Sequence, residues 1–184
     1  MHAYERWIVR GYVANVLKTG RFARAPRPGS ALVAWLDEHA SSVGLAPRVS
    51  RRTSRRSAWD DAPPYVEDWA NWRRQACVLA SPPTRSPLQK RIDWLSVTCG
   101  LSSEETEALG LLARVTLSPK VLALVEAVNE GHALDLGIVD FSDLRLLLGS
   151  AEAREACSDN GRLVELGLVD SGNRHLSTVA RRIL

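Results

Sequence analysis

Five arginines fall within nine residues, Arg48, Arg51, Arg52, Arg55 and Arg56, in the stretch "RVSRRTSRR". Guanidinium groups crowded into a segment with almost nothing to bury attract polyanions, and phosphate neutralisation dominates affinity for nucleic acid. These five are therefore the candidate polyanion-binding residues. If all of them met phosphates, log affinity would fall with log salt at a slope of about −4 to −5. The same run also reads as a solvated basic linker. No glycine or aromatic residue interleaves it to stack on bases, and Trp59 is the only ring close by. "RRTS" and "RRS" also match sites for a basophilic kinase.

A second unusual stretch is "PPYVEDWANWRR". Trp69 and Trp72 are i, i+3 neighbours on a helix, with Tyr65 one turn earlier. Trp and Arg dominate binding hot spots, so Tyr65, Trp69 and Trp72 are candidate partner-binding residues. The competing reading has them anchoring the N-terminal helices onto the winged-helix unit.

Catalytic and metal chemistry has little to stand on. There is no HExxH, no Cys or His pair at metal-ligand spacing and no nucleophile elbow. His2, His39, His132 and His175 are isolated and read as surface residues. Glu104, Glu105 and Glu107 belong to the first turn of a capped helix, where the helix dipole favours acids. The only lysines are Lys18, Lys90 and Lys120, and none follows a Gly-x-x-x-x-Gly loop that would cradle a nucleotide's phosphates. The residues predict a chain that is not an enzyme and carries no catalytic, cofactor-binding or metal site of its own.

Charge is distributed unevenly. Residues 1–60 hold 11 Lys and Arg against 4 Asp and Glu, a net +7. Residues 61–90 carry +1 and residues 91–184 carry −5, leaving +3 for the chain. Cys77, Cys99 and Cys157 are scattered without a CxxC, which predicts a reducing compartment rather than a disulfide framework. "MHAYERWIVRGYVANVLK" has an acid at its fifth position and no uninterrupted apolar core, so it does not read as a signal peptide. No run approaches the roughly 18 apolar residues of a membrane span. A cytoplasmic protein is expected, with no membrane partner.

The elements that must position these residues are mostly helical. Tyr4, Trp7, Ile8, Val13, Val16 and Leu17 predict a first helix ending at Gly20. Ser30 caps a second, with Leu32, Val33, Trp35 and Leu36, which Gly44 ends. A basic flexible arm follows at about 45–63. A third helix over 65–80 presents Val66, Trp69 and Cys77 on one face, with Trp72, Ala76 and Leu79 nearby. "SPPTRSP" is a proline linker and the expected domain boundary, dividing a helical region 1–85 from a domain 86–184.

Beyond it the signals sharpen. Ser86-Pro87 is a cap followed by an N1 proline. Leu88, Ile92, Leu95 and Cys99 follow at helical spacing, and Gly100 closes the helix. Ser102 to Glu105 is a capping box, opening a helix with Leu109, Leu112 and Ala113 inward. Ser118-Pro119 repeats the cap, and Val121, Leu122, Val125 and Val128 turn inward on a helix stopping near Gly131. "ALDLGIVDF" reads as β-tolerant. Short helices follow on either side of Gly149, then a last turn ended by Gly167, and the hairpin "LVDSGNRHLS". "TVARRIL" opens one more helix and reads as the start of a connector to something longer.

The order helix, short strand, helix, turn, helix, hairpin is that of a winged helix. The fold class predicted is mainly α, with a helical N-terminal region and a C-terminal winged-helix-like unit carrying a short β-hairpin. The helix after Gly149 holds Glu152, Arg154, Glu155, Asp159 and Arg162, a balance poorly suited to a DNA groove.

The stretch "RIDWLSVTCGLSSEETEALGLLARVTLSPKVLALVEAV", with "FSDLRLLLG", "NGRLVELGLVD" and "HLSTVARRIL", resembles the region preceding the ATPase module in a group of bacterial AAA-family ATPases. There "L-x-x-x-x-G-L-S-x-x-E" leads to a winged-helix unit ending in "L-V-x-x-G-L-V". The resemblance covers about residues 88–184. It implies a non-enzymatic recognition or docking region that binds a protein substrate, a partner or its own ATPase module. The alternative is a DNA-associated regulator using the arm at 48–56 and the winged helix.

Overall fold

The computed structural model describes residues 1–19, 22, 30–47, 64–78, 80–129, 146–149, 155–156, 158, 161–170 and 176–184, with 64–67 as helical backbone. The chain is mainly α-helical. The first helix, α1, is Ala3–Lys18. His2 caps it, its Nδ1 accepting from the Tyr4 amide at 3.1 Å. The helix closes on Thr19, one residue before the expected glycine. Ser30 caps α2 (Ala31–His39) as its sequence predicts, and a 3-10 turn over Ala40–Val43 carries the chain on to Gly44.

The third helix, α3, is Pro64–Cys77. Its buried stripe is Trp69, Trp72 and Ala76, whereas Cys77 is exposed. The expected face containing Cys77 is thus corrected to an i, i+3, i+7 stripe. The Trp72 indole sets that rotation by donating to the Ala46 carbonyl at 2.9 Å.

The proline caps behave in two ways. Ser86 caps α4 (Pro87–Cys99), its hydroxyl accepting from the Gln89 amide at 3.0 Å. Gly100 ends α4 at φ +61, a left-handed conformation that favours a residue without Cβ. Ser118 makes no side-chain cap bond to α6 (Pro119–Val128), contrary to expectation. It sits instead in the corner where α5 (Ser103–Leu117) turns through 109° into α6. Its own amide closes α5 on the Arg114 carbonyl at 2.8 Å. At the start of α5 the capping box is complete: the Glu105 amide donates to the Ser102 hydroxyl at 3.2 Å, and the Ser102 amide to Glu105 Oε2 at 2.7 Å.

Every residue of α5 from Ala108 to Val115 is buried. A helix buried on all sides must be wrapped by others. Here α5 packs on α4, on α6 and on α7 (Arg162–Glu165), while α2 packs on α6 and α1 on α3. The Trp35 indole on α2 donates to the Lys120 carbonyl at the start of α6, at 3.1 Å. One contiguous core joins Val13, Leu17 and Leu36 to Leu109, Leu124 and Leu163. That core runs across the expected division at 85/86.

After α7, Gly167 at φ +64 reverses the chain. A single antiparallel bridge then pairs Val169 with Leu176, and the Ser177 amide donates to the Leu168 carbonyl at 3.0 Å. Among the described residues this bridge is all the β-structure there is; the tip of the expected hairpin, 171–175, lies outside them. So do "ALDLGIVDF" and most of the two helices around Gly149. The last helix, α8 (Thr178–Ile183), is capped by Ser177. No single described helix is long and apolar enough to cross a membrane.

Candidate functional site

One face of α1 and one face of α5 leave a cleft of about 470 Å³ between them. From α1 come Tyr4, Trp7, Ile8, Gly11, Tyr12, Ala14, Asn15 and Lys18; from α5 come Thr106, Glu107, Gly110 and Arg114; Gln89 and Leu148 complete it. The spacing of Tyr4, Ile8, Gly11, Asn15 and Lys18 repeats at three and four residues, so a single helical stripe lines the wall.

Arg114 and Gln89, both in the cleft lining, belong to a buried polar network. Arg114 Nε donates to Glu5 Oε2 at 2.6 Å, and its Nη2 to Gln89 Oε1 at 2.6 Å. Arg114 Nη1 reaches back to the Gly110 carbonyl at 2.9 Å. A Cβ at Gly110 would lie 2.8 Å from that nitrogen, so a glycine is what lets the guanidinium fold onto its own helix. The Ser86 hydroxyl donates to the other Glu5 oxygen. The Arg114 and Glu5 side chains are only 4% and 16% exposed. The pair is mutually neutralised, so Arg114 is a structural cation rather than a free anion receptor.

The Tyr12 hydroxyl lies against this network. Burial pushes its pKa up to about 12, although the Arg114 charge pulls it down. Burial works against the Arg114 charge, but Tyr12 and Glu5 outweigh it and raise the guanidinium pKa. An unfolded chain releases the Tyr12 proton near pH 10, while the folded chain holds it to about 12. This contribution to stability is fully present below pH 10 and is lost as pH rises through about 12. Tyr12→Phe is expected to flatten the alkaline fall in stability over that window. Urea unfolding at a series of pH values reads it, and equal steepness in variant and parent would contradict it.

Two charges on the cleft wall remain without an ion pair among the described residues, Glu107 and Lys18. Partial burial raises the Glu107 pKa, and the neighbouring Glu104 charge raises it further. Glu104 is held low by a backbone hydrogen bond and by the Ser103 and Ser102 hydroxyls, as befits an acid in a first turn.

A different surface lies on α4. Ile92 and Leu95 face the core, and Trp94 and Val97 point away from it, 58% and 83% exposed. Lys90 is exposed on the same face, one turn before Trp94. Arg91 flanks it and donates to the Leu184 carbonyl at 2.6 Å, bracing the end of α8 against α4. The only acid within this helix, Asp93, is held by Arg85 at 3.0 Å. The result is an exposed apolar pair in a basic setting, on a helix capped at both ends.

The residues singled out from sequence fare differently. Arg48, Arg51, Arg52, Arg55 and Arg56 lie outside the described residues, as does the Tyr65 side chain. Trp69 and Trp72 are 3% and 2% exposed and belong to the core. That corrects their reading as partner-binding residues: packing of α3 on α1 takes both rings out of reach. His39 is half-buried and packs edge-on against Trp35 at 5.1 Å. Sequence reasoning missed the roles of Arg10 and Arg162. Arg10 donates to the carbonyls of Gln75, Val78 and Gly44, and Arg162 to those of Gly100 and Cys99 at 2.8 and 2.9 Å. Both satisfy helix ends remote in sequence. It also passed over Trp94, whose only signal was its place opposite the Ile92 and Leu95 stripe.

Comparison of the chain with protein-family models, curated proteins and solved structures returns no match.

Proposed function

We propose that this chain is a non-enzymatic docking domain of a bacterial AAA-type ATPase system, with a C-terminal winged-helix-like unit whose wing starts at the Val169–Leu176 bridge. The observation that carries the docking reading is the α4 surface, where Trp94 and Val97 stand exposed on a helix whose other face is core. Exposed large apolar side chains grouped on a rigid element mark interaction sites, and Trp is the commonest anchor. Lys90 and Arg91 beside the apolar pair favour a partner segment that is apolar and acidic. The "L-x-x-x-x-G-L-S-x-x-E" phrase, which spans Leu95 to Glu105, supports the assignment to an ATPase system.

A photo-crosslinking residue placed at Val97 in cells tests the proposal, with the crosslinked protein identified by mass spectrometry. The expected product is a protein with a phosphate-binding loop and an AAA module. Trp94→Ser is expected to reduce the crosslink about tenfold or more, while the unfolding midpoint stays at its parent value. Crosslinks to proteins without such a module, or a crosslink indifferent to Trp94→Ser, would overturn the reading.

A further inference from the structure

We propose that the α1–α5 cleft binds a free α-amino acid with an apolar side chain, its ammonium group on Glu107 and its carboxylate on Lys18. This goes beyond docking, because the cleft and the α4 face are different surfaces. The first support is Gly11. It sits in the interior of α1, where glycine is unfavourable relative to alanine. Nothing lies within 4 Å of where its Cβ would be, so no neighbour requires the missing side chain. What the glycine does is keep the cleft open.

The second support is the lining. A cleft of about 470 Å³ falls within the range of small-molecule sites, which combine apolar walls with a few polar groups. Tyr4, Trp7 and Tyr12 supply aromatic surface, which favours both an apolar side chain and an adjacent ammonium. The polar groups are selective because Arg114 is already neutralised by Glu5. Among the described residues that leaves one acid and one base on the wall without an ion pair, Glu107 and Lys18. A ligand satisfying both is a zwitterion. The raised pKa of Glu107, caused by partial burial and the neighbouring Glu104 charge, agrees with this, since a ligand ammonium would favour the ionised carboxylate. Asn15 lines the cleft as well, its amide nitrogen donating to the Leu147 carbonyl at 2.9 Å.

Isothermal titration of the full chain with L-phenylalanine and L-leucine tests the proposal, with phenethylamine and 3-phenylpropanoate as half-ligands. Saturable binding of at least one amino acid below about 10 mM is expected, with each half-ligand about tenfold weaker or more. Glu107→Gln and Lys18→Met, both at solvent-accessible positions, are each expected to weaken binding about tenfold. Gly11→Leu is expected to abolish binding while circular dichroism and the unfolding midpoint show a folded chain. No saturable heat with either amino acid, a half-ligand as tight as the amino acid, or binding unmoved by Glu107→Gln would each overturn the proposal. If Gly11→Leu fails to fold, the two charge variants decide it.

Discussion

Arg114→Ala is expected to cost about 3–5 kcal/mol of stability, the range found when one partner of a buried ion pair is removed. The reason is the state it leaves behind. Glu5, 16% exposed, would lose the guanidinium that pairs with it at 2.6 Å. Gln89 and the Gly110 carbonyl would lose the donors at 2.6 and 2.9 Å that satisfy them. A domain is stable by only about 5–15 kcal/mol, so this loss is a large fraction of the whole. Arg114→Lys is not a rescue, because a single ammonium cannot meet Glu5, Gln89 and Gly110 in three directions. The informative partner is the double change Glu5→Leu with Arg114→Met, which removes both charges and is expected to recover much of the loss. Urea unfolding of the three variants checks this. A single-variant loss below about 1 kcal/mol would show that water reaches the pair after all.

The fragment 86–184 is expected not to fold cooperatively, although the proline segment makes it look like a separate domain. Val13, Leu17, Leu32 and Leu36 all come from the first 85 residues and are essentially fully buried. Each contributes about 1.5–3 kcal/mol by burial, a total on the scale of the whole stability of a domain. Without α2 the inner face of α6 is bare, and without α1 the Arg114 network has no carboxylate. The fragment should show a broad thermal transition and bind a hydrophobic dye, while the intact chain unfolds in one step. A sharp transition in the fragment would restore the boundary at 85/86.

The proline cluster at 81–87 predicts a domain boundary because prolines interrupt helices, and a helix break does lie here between α3 and α4. Whether two helices share a core across such a break depends on which apolar faces meet, and no local residue pattern encodes that. Trp69 and Trp72 illustrate the same limit. Their spacing marks a helix face correctly, but a buried face and a binding face carry the same residues. Trp94 was visible too, but its importance comes from exposure, which is a property of the packed molecule.

What the sequence by itself determined is local. Ser30, Ser86, Ser102 and Ser177 stand where helices begin, and Gly44, Gly100 and Gly167 where the backbone turns left-handed. Those choices are made by hydrogen bonds and steric limits spanning three or four residues, so a short window contains their whole cause. What only the tertiary structure decided is everything at long range: the single core, the Glu5–Arg114 pair across 109 positions, Arg10 and Arg162 closing distant helix ends, and the cleft that Gly11 leaves open. Those contacts depend on how several apolar faces fill space together.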